Sequence, residues 1–230
     1  MLLHVPANSP LPDFLKRLAA RLPLSWQQEL RRHHFHRQIR RGVFGATIPE
    51  YELLASLLAP GDWVIDVGAN VGQYTKRFSD LVGPGGRVIA IEPVPETFAL
   101  LAANVALFQC RNVSPLNLAA SAKSGVAGIQ IPRFETGLPN YYCAQLTHAS
   151  TDLQVLACPL DSLGVEHRVK LVKVDAEGHD AMVLRGAERL LRRDRPILLI
   201  EGSDDELVDY LSGLAYRTEQ VAGSINFLCR

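Results

Sequence analysis

From residue 60 onward, short apolar runs closed by glycine or an acid alternate with stretches of helical periodicity, and this rhythm restricts the fold more than any other feature. "GDWVIDVG" (61–68) reads as a strand, and residues 72–82 read as a helix ending in "GPGG". "RVIAIEP" (87–93) is a second strand. A helix follows from Pro95 to Phe108, with Phe98, Leu101, Val105 and Phe108 on one face, and then a third strand, "VSPLNLAA" (113–120). Strand and helix alternating at this spacing build parallel βαβ units, so the chain is α/β with helices on both faces of the sheet. Residues 121–160 break the rhythm: "GVAGIQIP" and "LQVLACPL" read as strands flanking the polar loop "RFETGLPNYYCAQLTHASTD", an insertion or lid. Alternation resumes with a strand at 169–175, a helix at 178–192, the strand "PILLIE" (196–201) and a helix at 204–213. The ending "LAYRTEQVAGSINFLCR" reads as a hairpin around Ala222-Gly223-Ser224, which gives a mostly parallel sheet an antiparallel C-terminal edge.

A chain of 230 residues, 47% of them hydrophobic, buries one substantial core. The expected organisation is a helical appendage at 1–45 followed by one domain at 46–230. Lys and Arg number 24, as do Asp and Glu, so no global field draws the chain onto nucleic acid. Within residues 13–41, however, eight Lys/Arg stand against two acids, in two short helices broken at Pro23. That segment is either a solvated face or a surface for anionic groups. Cys110, Cys143, Cys158 and Cys229 are dispersed and form no CxxC pair, which argues against a zinc knuckle or disulfide framework and fits a reducing cytoplasm. Residues 1–12 hold three prolines and no continuous apolar core, unlike a signal peptide, and no run has the length of a transmembrane segment. The edge hairpin and the basic helices offer surfaces for a homodimer.

"VIDVGANVGQYT" (64–75) carries the strongest local signal. A strand ends in Asp66, and Gly68 and Gly72 bracket the turn into a helix, where a Cβ would obstruct the backbone or a ligand. The G-x-N-x-G spacing differs from the G-x-G-x-x-G of dinucleotide sites, and an acid at the strand end repels a pyrophosphate. It suits instead the ammonium of a zwitterion such as S-adenosylmethionine. Glu92, at the carboxyl end of the next strand, is placed to accept hydrogen bonds from both hydroxyls of a ribose. Either acid alone is equally a helix or turn cap; together, with the glycines between them, they make a cofactor site.

At this point the chain resembles the class I S-adenosylmethionine-dependent methyltransferases, and within them the FkbM family. The resemblance is carried by "VIDVGANVGQYT", "IEP", "NLAAS" (117–121) and "PLDSLG…VKLVKVDAEGHDAMVLRGAERLLRRDRPILLIE" (159–201), and covers residues 45–230. It implies a Rossmann-like, seven-stranded sheet. It also implies that Gly68, Asn70 and Gly72 wrap the methionine end of S-adenosyl-L-methionine, that Thr75 reaches its carboxylate, that Glu92 holds the ribose and that Asn117 lies by the adenine. Gln73 stands where the family usually has a tyrosine-like residue.

"KLVKVDAEG" puts Asp175 at the end of the fourth parallel strand, on the rim that holds Asp66 and Glu92, where cofactor and acceptor meet in class I methyltransferases. Methyl transfer needs an aligned acceptor and a sink for its proton, and a carboxylate serves both. Candidate catalytic groups are Asp175, Glu177 and His179, the histidine being either a base or a plain helix N-terminal residue. Alternatively Asp175 and Glu201, with Asp204 as a third oxygen, bind a magnesium ion that acidifies the acceptor hydroxyl. Lys173 shares the strand face of Asp175 and can neutralise it. The family resemblance implies O-methylation of a hydroxylated small molecule: a sugar, glycolipid, polyketide or other secondary metabolite. N-methylation and a nucleotide-binding oxidoreductase on the same layout are the alternatives. The loop 132–152, with Tyr141 and Tyr142, is where acceptor choice is expected to be encoded.

Overall fold

The structure, a computed structural model, describes residues 13–147, 151, 153–202 and 205–230. Its centre is a seven-stranded sheet. Five strands are parallel: β1 (Trp63–Val67), β2 (Arg87–Ile91), β3 (Val113–Leu116), β8 (Val169–Val174) and β9 (Ile197–Glu201). The C-terminal hairpin adds β10 (Thr218–Gln220) and β11 (Asn226–Cys229), and β11 runs antiparallel to β9. The order β10-β11-β9-β8-β1-β2-β3 reverses direction of build-out between β1 and β8, which opens a crevice at their carboxyl ends.

Four of the five residues in each of β1 and β2 are buried, as expected of strands covered on both faces. On one face Val67, Ile91, Val172, Leu184, Leu191 and Ile200 form the larger cluster. On the other, Val64, Phe78, Val88, Leu171 and Leu199 pack beneath α3 (Tyr51–Leu57) and α4 (Gln73–Val82). Each such side chain removed from water contributes about 1.5–3 kcal/mol before entropy is counted. The helix after β2, α5 (Pro95–Val105), closes three residues short of Phe108, which is buried all the same.

The basic segment forms α1 (Asp13–Ala19) and α2 (Leu24–Arg40), separated at Pro23 as its ring requires. α2 leans on α5 and joins the body through Phe35, which clusters with Phe44, Val71, Leu100 and Phe108.

Two expectations are corrected. "VSPLNLAA" is not one strand: β3 ends at Leu116, and Ala119–Ala120 (β4) pairs in a second sheet with β5 (Gly125–Gln130), β6 (Gln145–Thr147) and β7 (Gln154–Cys158). The turn is made by Asn117, whose side-chain amide donates to the carbonyls of Glu92 and Pro93. The expected helix at 178–192 is two helices, α6 (Asp180–Arg185) and α7 (Glu188–Asp194). At the break Gly186 lies against the Ser121 carbonyl, where a Cβ would sit 2.0 Å from the oxygen, and its own carbonyl accepts the Asp161 N–H at 3.0 Å. The Asp161 carboxylate then accepts the main-chain N–H groups of Arg189 and Leu190, starting the second helix.

Candidate active site

The glycine turn and the acidic strand end form one structure. β1 and β8 stay paired to the rim, where the Asp175 N–H donates to the Val67 carbonyl at 3.2 Å. Gly68, at φ +70°, follows directly, and a Cβ there would lie 1.8 Å from the Asp175 carbonyl oxygen. Only glycine lets the two loops touch. Gly72 (φ +95°) opens α4, and Asn70 (φ +50°) turns its N–H onto a Glu92 carboxylate oxygen at 2.9 Å. The other Glu92 oxygen accepts the Val94 N–H at 3.0 Å. Burial pushes the Glu92 carboxyl up to about 7, against the pull of these two bonds. Asn117 is exposed and binds the main chain below Glu92.

Asp66 and Thr75 turn inward. Asp66 is fully buried and accepts the Thr75 hydroxyl at 2.6 Å, so that hydroxyl is committed to holding the first turn of α4. The ammonium that Asp66 meets is Lys173's, 4.0 Å away. Lys173 is itself buried, 2.9 Å from the Asp175 carboxylate and 4.7 Å from the Tyr74 ring centre. Burial opposes its charge, but Asp175 and Asp66 outweigh that and hold its pKa above the ordinary lysine value.

Three carboxyls converge at the end of β8: oxygens of Asp175, Glu177 and Glu201 lie within 4.8 Å of one another. Such a group cannot carry three full charges. Although burial raises it, Asp175 is held below the ordinary carboxylate range by Lys173 and by a hydrogen bond with Glu201. That same bond, then burial, pushes the Glu201 carboxyl up, so that of the two Glu201 is the one biased toward holding the proton. Burial, then the Asp175 charge, lifts Glu177 to about 7. Glu177 also holds a left-handed backbone, φ +49°.

His179 reaches the insertion side, with Nε2 2.9 Å from the Ser121 hydroxyl. The cluster thus brings Glu177, expected as a catalytic group, together with Asp175 and Glu201, while Asp204 lies outside the described residues.

Two contributors had no signal in the sequence. Arg31 of α2 sits 4.7 Å over the Tyr141 ring, within electrostatic reach of Glu92 and Glu96. Tyr141 opens a 3-10 turn, Tyr141–Cys143, whose Cys143 thiol is raised by burial and by the nearby Glu177 carboxyl. The insertion therefore spans from the ribose-side acid to the acid cluster, with Tyr141 under Arg31 and Tyr142 exposed.

The family described as "Methyltransferase FkbM domain" matches residues 66–218. Among curated proteins, a 31-O-demethyl-FK506 methyltransferase FkbM from Streptomyces tacrolimicus is 53% identical over 47 residues, 20% of this chain and 18% of that protein. A protein-L-isoaspartate O-methyltransferase from Triticum aestivum is 43% identical over 54 residues, 24% of each. The chain thus spans no more than 24% of the length of these curated relatives. Among solved structures, Methyltransferase FkbM from Methylobacillus flagellatus KT superposes with a TM-score of 0.53 at 16% identity, over 78% of this chain and 50% of that one. Aeropyrum pernix fibrillarin, with natively bound S-adenosyl-L-methionine, gives 0.50 at 18% identity, over 78% and 71%. With its β10-β11-β9-β8-β1-β2-β3 sheet and this match through both rim loops, the chain belongs to the FkbM methyltransferase domain family and has the class I methyltransferase fold.

Proposed function

We propose that this protein is an S-adenosylmethionine-dependent methyltransferase acting on a hydroxyl of a small molecule, with Glu177 as the base. The reading rests above all on the three-carboxyl cluster set directly against the Gly68 turn. S-adenosylmethionine, when bound, supplies a methyl carbon activated by a cationic sulfur. Glu92 suits its ribose, because each carboxylate oxygen accepts a single main-chain N–H and keeps a lone pair for a hydroxyl. Gly68, Asn70 and Gly72 shape the turn that passes the methionine end, while Asp66 and Thr75 hold that turn from below.

At the acceptor end Asp175, ionised against Lys173, accepts a hydrogen bond from the acceptor hydroxyl and aligns it. Glu177, poised at about 7, would take the hydroxyl proton while the cofactor supplied the methyl group to the oxygen and departed as its neutral thioether. His179, bonded to Ser121, positions the start of α6. The reading takes the Lys173 ammonium, 2.9 Å from Asp175, as the cation of this cluster, which a magnesium ion would have to displace, and so takes transfer as metal-independent.

Incubation with S-adenosylmethionine and a panel of hydroxylated sugars, glycolipids and polyketides, reading S-adenosylhomocysteine release and the methylated atom, tests this. Oxygen-methylated product formed equally with EDTA is expected. Product methylated on nitrogen, or turnover lost in EDTA and restored by magnesium, would overturn the acceptor or the metal part respectively.

A further inference from the structure

We infer that α1 and α2 form a docking face for an anionic lipid surface, independent of the methyl-transfer reading. The first half of α2 is inverted relative to an ordinary surface helix. Its inner side carries Gln28 and Arg31, one turn ahead of the core residue Phe35, and an Arg31 guanidinium nitrogen is buried without a hydrogen-bond partner among the described residues. Its opposite side carries Trp26 and Leu30 one turn apart, 64% and 56% exposed. The same stripe runs on into exposed His33 and Arg37. α1 repeats the design with Phe14 and Leu18, 67% and 57% exposed, beside exposed Arg17 and Arg21. Water gives no reason to expose a tryptophan, a phenylalanine and two leucines on two successive short helices.

Charge selects the occupant. Residues 13–41 hold eight Lys/Arg against two acids in a chain that balances at 24 each, and Arg17, Arg21 and Arg37 lie exposed along the apolar stripes, so this segment is locally basic. One of those acids, Glu29, is already paired with Arg32 at 2.6 Å. Aromatic and leucine side chains ringed by arginines match an anionic bilayer interface, where the apolar groups enter among the acyl chains and the guanidiniums meet phosphates. A second copy matches poorly, since a two-fold contact would press like charges together. Among the described residues no helix is long and apolar enough to cross a membrane, so the contact lies in the plane of the surface. The face also stands behind the insertion: Ala20 lies against Gly137 and Arg31 over Tyr141.

Flotation of the full chain with vesicles of phosphatidylcholine alone, or with about one-third phosphatidylglycerol, tests the inference. Binding should be about tenfold stronger to the anionic vesicles and fall in high salt. Trp26→Ser/Leu30→Ser should reduce it about tenfold while Tm and the thermal shift with S-adenosylhomocysteine stay unchanged. Equal binding to both vesicles, no binding, or unaltered binding by the double variant would overturn the inference. So would a light-scattering dimer that the double variant dissolves without any vesicle binding, which would make the face an interface between copies. Failure of the wild-type chain to respond to S-adenosylhomocysteine would count against the proposed enzyme and leave the vesicle result standing.

Discussion

Glu177 combines two unfavourable features: a left-handed backbone, φ +49°, and a half-buried carboxyl lifted to about 7 beside Asp175. A non-glycine residue in that region costs about 1–3 kcal/mol, a strain that concentrates at functional sites. Replacement by glycine should therefore raise Tm by a few degrees, on the order of 1 kcal/mol, while abolishing turnover. A lower Tm would show that bonding, rather than tolerance, holds the carboxyl in place. Glu177→Gln should lower kcat by about 10²–10⁴-fold with little change in S-adenosylhomocysteine affinity. The base must be ionised to act, so the wild-type rate should rise with pH through about 7 and level off above it, and the residual rate of the Gln variant should lack that step. The carboxylates at 66, 92, 175, 177 and 201 are all legible in the sequence as acids near strand ends, but their division of labour is not. Lys173 decides it, being 2.9 Å from Asp175 and 4.0 Å from Asp66, so that one acid is ionised and its neighbour Glu201 is biased toward holding the proton.

At the level of elements, the break between α6 and α7 ties the insertion to the rim. Gly186 touches Ser121, Ser121 meets His179, and His179 begins α6. Asp161→Ala should remove two main-chain acceptors from the start of α7 and cost about 1 kcal/mol in chemical denaturation. An unchanged midpoint would mean that water replaces the carboxylate at no cost. The parallel strands were readable because each is a short apolar run with its own stop signal. The helix break was not, because an isolated glycine in a helical pattern is ordinarily tolerated; the Ser121 carbonyl that makes it indispensable comes from a segment 65 positions earlier.

At the level of the molecule, Glu50 ties the start of α3 to the C-terminal hairpin. It is buried before α3 and accepts the Tyr74 hydroxyl at 2.8 Å, the Asn226 amide at 2.6 Å and the Ser224 hydroxyl. Burial raises its carboxyl, but these three bonds outweigh that and hold its pKa below the ordinary value of 4.5. A depressed folded-state pKa adds stability above the unfolded value and loses it as pH falls through the folded one. Glu50→Gln should therefore cost about 2 kcal/mol at neutral pH, and the gap in Tm from wild type should shrink as pH falls below about 4.5. A gap that stays constant with pH would assign the loss to packing rather than to the carboxylate.

The amino-acid sequence by itself determined the succession of the five parallel strands, the glycine turn, the antiparallel C-terminal edge and the row of acids at the strand ends, because each is written within a handful of neighbouring residues. The tertiary structure decided which acid is biased toward holding the proton, which carboxyls meet, and that Arg31 and Cys143 reach the same rim from distant segments. Periodicity and turn chemistry act locally, whereas a protonation state is the sum of burial and charge contributed by groups the chain brings together only once it is folded.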